Sequence, residues 1–271
     1  MNASLRRAAW VIAFSFSVLL TACASRSPET VLATETKDRV TASDESDASK
    51  RATVRMELAA AYFGRGQMTV ALDQVKLAIA ADPTVSEAFN LRGLIYAELG
   101  DDRLAEESFR RALQLNPRDG DSMQNFGYYL CQKKRYPESI SLFDQALALP
   151  RYQQPARTWL TKGVCQAFAG QLSDSEASLL RAYEIDPASP STLVNLSEVL
   201  YRKGEYERAR FYIRRVNAVA AVVSAQTLWL AVRIENRLNN RLGVQEFGDQ
   251  LRQRFPESRE SVAFAKGNFD E

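Results

Sequence analysis

Residues 86–117 read SEAFNLRGLIYAELGDDRLAEESFRRALQLNP, and this stretch decides the fold. Two amphipathic helices fit it. The first carries Phe89, Gly93 and Tyr96; the second carries Ala105, Phe109 and Ala112, with Pro117 five residues later. A glycine at Gly93 lets paired helices approach closely, and Ala105 and Ala112 leave room for the facing aromatics. Asn116-Pro117 ends the second helix, because the residue before proline is pushed out of the helical region.

A self-comparison at a period of 34 carries this pattern outward in both directions, in the arrangement of a tetratricopeptide repeat. Upstream, Leu58, Tyr62, Ala71, Val75, Ala78 and Pro83 repeat it. Downstream come Phe126, Gly127, Ser139, Phe143 and Ala146, then Trp159, Gly163, Leu179, Ala182 and Pro187. A fifth copy keeps Leu196, Ala209 and Ile213, and a degenerate sixth keeps Leu230 and Phe247. The expected architecture is an all-α solenoid of about six helix-turn-helix repeats over residues 52–257. Their starts fall near 52, 86, 120, 156, 190 and 224, and residues 258–271 form a tail. Two extra residues fall in the loop from Pro150 to Pro155.

Composition excludes much of enzymology. The 271 residues contain no histidine, which removes the commonest general base, the Ser-His and Cys-His couples and imidazole-dependent zinc sites. No phosphate-loop or dinucleotide glycine motif occurs. With 35 basic and 33 acidic side chains, the basic excess of a nucleic-acid binder is missing. No catalytic residue, cofactor, metal or small-molecule substrate is expected.

The N-terminus reads as an address. Arg6 and Arg7 precede an apolar run from Ala8 to Leu20, which as a helix rises about 20 Å, short of the ~30 Å hydrocarbon core. Residues 1–22 therefore read as a cleaved secretory signal. Leu20-Thr21-Ala22-Cys23 resembles a bacterial lipobox, which implies that Cys23 receives a diacylglyceryl group and becomes the N-terminus of a lipoprotein carrying palmitate-like chains. Ala24 stands where inner-membrane lipoproteins often carry Asp. The expected site is the inner leaflet of the outer membrane, facing the periplasm. Residues 23–51 hold few large aliphatics and read as a lipidated cysteine with a flexible tether.

Repeats of this kind expose an extended concave face. Its usual positions on each first helix fall on Phe63, Leu94, Tyr128, Leu160, Val164, Phe168 and Tyr201, and also on Asn90, Gln124, Val194, Leu228 and Val232. Large apolar side chains at such positions suit an extended or helical polypeptide segment; packing between repeats would bury part of the same set. The clamp for an acidic C-terminus, which needs Lys and Asn, is absent, since Met56 and Ala60 stand there. Residues 190–259 carry 12 basic and 7 acidic side chains, a solvated face or a dock for an acidic partner. Cys131 and Cys165 fall on neighbouring first helices. They read either as a disulfide, suited to an oxidising compartment, or as two buried thiols.

Asn125-Phe126-Gly127-Tyr128-Tyr129-Leu130-Cys131-Gln132 with Arg135-Tyr136 resembles a segment of the PilW/PilF type IV pilus biogenesis and stability lipoproteins. Leu200-Tyr201-Arg202-Lys203-Gly204-Glu205-Tyr206 and the run Leu251-Arg252-Gln253-Arg254-Phe255-Pro256 agree with it. Phe126 and Gln124 depart mildly from the usual Tyr and Asn. The resemblance implies a pilotin-like interaction protein that helps the pilus secretin reach or keep its multimeric state and supports fibre stability. It also implies that Cys131 and Cys165 match cysteine positions of part of the family. The alternative is a general periplasmic adaptor that recruits a peptidoglycan enzyme or a protease.

Overall fold

The computed structural model describes residues 47–269; the signal, Cys23 and most of the tether lie outside the described residues. Thirteen α-helices and no strand occur among the described residues. They are α1 Asp47–Gly64, α2 Met68–Ala81, α3 Ser86–Leu99, α4 Asp102–Leu115, α5 Gly120–Gln132, α6 Tyr136–Leu147, α7 Pro155–Phe168, α8 Leu172–Ile185, α9 Pro190–Arg202, α10 Tyr206–Asn217, α11 Ala225–Arg237, α12 Arg241–Arg254 and α13 Arg259–Lys266. Successive helices pair as α1/α2 through α11/α12, and each first helix also lies beside the first helix of the next pair.

Each pair closes on two small residues. Gly93 and Ala105 meet in α3/α4, Gly127 and Ser139 in α5/α6, Gly163 and Ser175 in α7/α8, and Ser197 and Ala209 in α9/α10; all are buried. The Ser139 hydroxyl donates to the Gly127 carbonyl at 2.6 Å and Ser175 to Gly163 at 2.7 Å; Ser197 reverses the direction and donates to Ala209 at 2.9 Å. A Cβ on Gly127 would sit 2.8 Å from the Phe143 ring, and one on Gly163 would sit 2.6 Å from Leu179 Cγ. The backbones can touch there only because those positions lack a side chain, and the helix pair's angle follows from that contact.

Helix ends follow local chemistry. Asp82, Asn116 and Asp186, each before a proline, leave the helical region and end α2, α4 and α8. Asp101, Asp119 and Ser189 cap α4, α5 and α9 by accepting backbone N–H groups. The turn inside each of the first, second, fourth and fifth pairs has a left-handed glycine: Gly66, Gly100, Gly170 and Gly204. In the third pair that position is Lys134, at φ 61°.

Two boundaries differ from the expectation. Helix α1 begins at Asp47, inside the stretch read as tether. Its weak apolar content hid it, since Ala52 and Ala59 are its only buried residues. The supposed tail holds α13. Phe264 packs on Gly248, where no Cβ would fit, and Phe269 stacks on Trp229 with ring centroids 6.0 Å apart. The last helix thus covers apolar surface that α11 and α12 would otherwise leave open, as a terminal cap on a stacked array must.

Candidate partner-binding cleft

An apolar cleft of about 410 Å³ lies across α5 and α7, lined by Tyr128, Cys131, Gln132, Lys134, Tyr136, Thr161, Val164 and Phe168. Tyr128 is 49% exposed and Phe168 69% exposed, each projecting from a rigid helix. Exposed aromatics flanking an apolar recess are the usual signature of a protein contact. Cys131 and Cys165 form part of the seam beneath, with Cα atoms 5.8 Å apart, inside the range a disulfide spans.

The cation at the rim is set by its neighbours. Lys133 pairs with Asp102 at 2.5 Å and lies over the Tyr129 ring. Arg135 holds Glu106 at 2.6 Å and Glu138 at 2.5 Å. The hydrogen bond from Arg135 keeps the Glu106 carboxyl below the usual carboxylate range, and Glu138 is lowered for the same reason. Burial, followed by the nearby Asp102, pushes the Tyr129 phenol up to about 12, so it stays neutral and donates to the Asp102 carbonyl oxygen at 3.1 Å. Both cations flanking Lys134 are therefore consumed. Lys134 itself has no acidic partner among the described residues and lines the cleft.

Of the residues expected to line a groove, Tyr128, Val164 and Phe168 come together here. Phe63 instead packs partly buried against the cluster that holds Val75 and Ile95, and Leu94 against the one that holds Phe109 and Tyr129. Leu160 leans on the core built from α7 to α12. Tyr201 is a correction: it is 8% exposed, covered by the Arg233 guanidinium 4.6 Å above its ring and by Tyr206. Gln124, Leu228 and Val232 are buried as well. Sequence reading missed Lys134, Tyr136 and Thr161. The signal at Lys134 was available, as the lysine that stands where four other repeats carry a turn glycine.

The basic fifth repeat is largely satisfied internally. Lys203 and Arg208 both hold Glu176, and Arg214 holds the buried Glu235 at 2.6 Å. Arg210 pairs with Glu207 at 2.5 Å, and Arg215 donates to the Tyr183 hydroxyl at 2.5 Å. Its sequence-level charge excess is thus spent on holding α8, α10 and α11 together.

Paired helices in register, a left-handed turn in each and a shared small-residue seam define a tetratricopeptide-repeat protein, and that family matches residues 86–119 and 120–149. The crystal structure of PilW, a widely conserved type IV pilus biogenesis factor, is 31% identical. It covers 78% of this chain and 97% of its own, with a TM-score of 0.73. The type IV pilus assembly protein PilF of Pseudomonas aeruginosa is 25% identical over 253 residues, 93% of this chain and 96% of that protein. The solved structure of Pseudomonas aeruginosa PilF shares the fold at a TM-score of 0.73 and 22% identity, covering 82% of this chain and 100% of its own. The chain belongs to the PilW/PilF family of type IV pilus biogenesis proteins.

Proposed function

We propose that the cleft between the third and fourth repeats docks a segment of the type IV pilus secretin, and that this contact supports secretin multimers and fibre stability. The protein acts as an interaction scaffold without catalysis. Cys23 carries the lipid that holds it to the inner leaflet of the outer membrane, where several acyl chains give durable anchoring. In that oxidising compartment Cys131 and Cys165 are joined, which fixes the spacing of α5 and α7 and with it the distance between Tyr128 and Phe168.

The observation that supports this reading most is the pair Tyr128 and Phe168, two uncovered aromatics on adjoining helices over one apolar recess. Truncating an aromatic anchor at an interface costs about 2 kcal/mol or more, roughly thirtyfold in affinity. Tyr128→Ala with Phe168→Ala should therefore abolish secretin multimers and pili, while the protein keeps its fold and membrane fractionation. Leu94 is packed against the Phe109 cluster, so Leu94→Ala reports on stability and not on docking. A folded, membrane-bound double variant with normal multimers would remove the cleft from consideration.

A further inference from the structure

A second cleft, of about 520 Å³, opens between α3 and α4 and is lined by Phe89, Arg92, Glu107, Arg110, Arg111 and Gln114. Two guanidinium groups share one ring there: Arg92 Cζ lies 4.9 Å and Arg111 Cζ 5.8 Å from the Phe89 centroid. Phe89 is buried, and both guanidinium groups lie close to its ring. Arg92 is pinned further, since its Nε donates to the Ser108 hydroxyl at 2.9 Å. Ser108 is itself buried and donates to the Leu104 carbonyl at 2.6 Å. That contact uses the inner edge of the Arg92 fork and leaves its terminal nitrogens for a ligand.

Of the nearby carboxylates, Glu106 is held by arginine, and Glu107, which also lines the cleft, makes one exposed pair. Arg110 takes Glu106 through Nε at 3.1 Å and Nη2 at 2.6 Å, and Glu107 pairs with Arg103 at 3.4 Å. Arg111 reaches only the Gln114 amide oxygen, at 3.5 Å. Among the described residues, neither Arg92 nor Arg111 has an acidic partner. Two like charges on one ring repel, and the repulsion is relieved by an anion between them. In α10, by contrast, arginines of the same solenoid are matched to Glu207 and Glu235.

We propose that the Arg92–Arg111 cleft receives an Asp or Glu side chain from an acidic segment of a partner polypeptide, at a surface separate from the Tyr128–Phe168 cleft. A planar carboxylate matches the guanidinium fork, and a fork already stacked on an aromatic loses little freedom on binding. The volume accommodates one or two side chains, and the Gln114 amide at the rim offers a polar contact to the peptide carrying them. Recognition by stacked arginine requires the fork as well as the charge, so lysine is a poor substitute.

The test is fluorescence anisotropy of the mature chain with a labelled Glu-Gly-repeat peptide and its Gln-Gly counterpart. The acidic peptide should bind, the neutral one should not, and binding should weaken as salt shortens the Debye length below about 10 Å. Arg92→Gln with Arg111→Gln should cost at least about tenfold. Arg92→Lys with Arg111→Lys, which keeps the charge and guards against misfolding, should also lose affinity. Tyr128→Ala with Phe168→Ala should leave this binding unchanged, which separates it from the proposed function. Equal binding of both peptides, no binding by the unaltered protein, or lysine variants that bind fully would overturn the proposal. So would displacement of the peptide by inorganic phosphate at equal concentration, which would make the cleft a general anion site.

Discussion

At the seam between α5 and α7, Cys131 meets Cys165, and Tyr128 and Phe168 remain 49% and 69% exposed nearby. At the seam between α9 and α11, the same two repeat positions hold Tyr201 and Arg233, stacked 4.6 Å apart with Tyr201 8% exposed. Two small sulfur-bearing side chains join neighbouring helices without spreading over what lies beside them. A ring under a guanidinium joins them by covering that surface. The same repeat therefore yields an open apolar cleft in one place and a closed polar seam in another, through the size of the residues at two positions.

The largest effect that could break this comparison is on the cysteine seam. A bridge closing a loop of 34 residues contributes about 3–4 kcal/mol in the chain-entropy model. Denaturant unfolding should show that loss on reduction or in Cys165→Ala, with the chain still helical. Reduction without any change in midpoint would mean that the sulfurs are not joined and that the open seam stands by packing alone.

The charge network that holds α11 beside the closed seam carries a smaller penalty of a different kind. Glu235 is 1% exposed, accepts from Arg214 Nε at 2.9 Å and takes the Asn240 amide at 2.7 Å. Glu235→Ala strands those donors and should cost about 2 kcal/mol, less than a fully buried pair because Arg214 reaches solvent. The same unfolding curves measure it, and the cost should be indifferent to reductant. A neutral outcome would mean that the C-terminal repeats do not depend on their charge network.

Smaller still, and opposite in sign, is Lys134→Gly. A non-glycine residue in the left-handed region costs about 1 kcal/mol, and the glycine variant should gain roughly that much. Partner binding should weaken at the same time, because the variant removes the free cation of the cleft. A gain in stability with unchanged binding would sharpen the picture by making the aromatics alone responsible.

Much of this fold could be read from Phe89, Gly93, Tyr96, Ala105, Phe109 and Ala112, because a close backbone contact and its filling aromatic impose residue types at fixed spacing. Gly127 against Phe143 and Gly163 against Leu179 obey the same constraint, and so they were found in register. Helix α13 escaped notice because a cap has no copy to be compared with. Tyr128, Val164 and Phe168 were identifiable from repeat position, whereas the burial of Tyr201 depends on Arg233, a residue 32 positions away in a degenerate repeat. Charge counts along residues 190–259 suggested a solvated face or a dock for an acidic partner; Glu176 lies outside that stretch and Glu235 pairs from another helix, and a count does not show pairing.

The central claim is that the open seam, and not the basic fifth repeat, meets the partner. A photo-crosslinking residue placed at Phe168 and, in a second strain, at Phe211, which is 56% exposed on α10, tests this directly in intact cells. The account predicts a covalent adduct with the pilus secretin from position 168 and none from position 211. A secretin adduct from position 211 alone would contradict it.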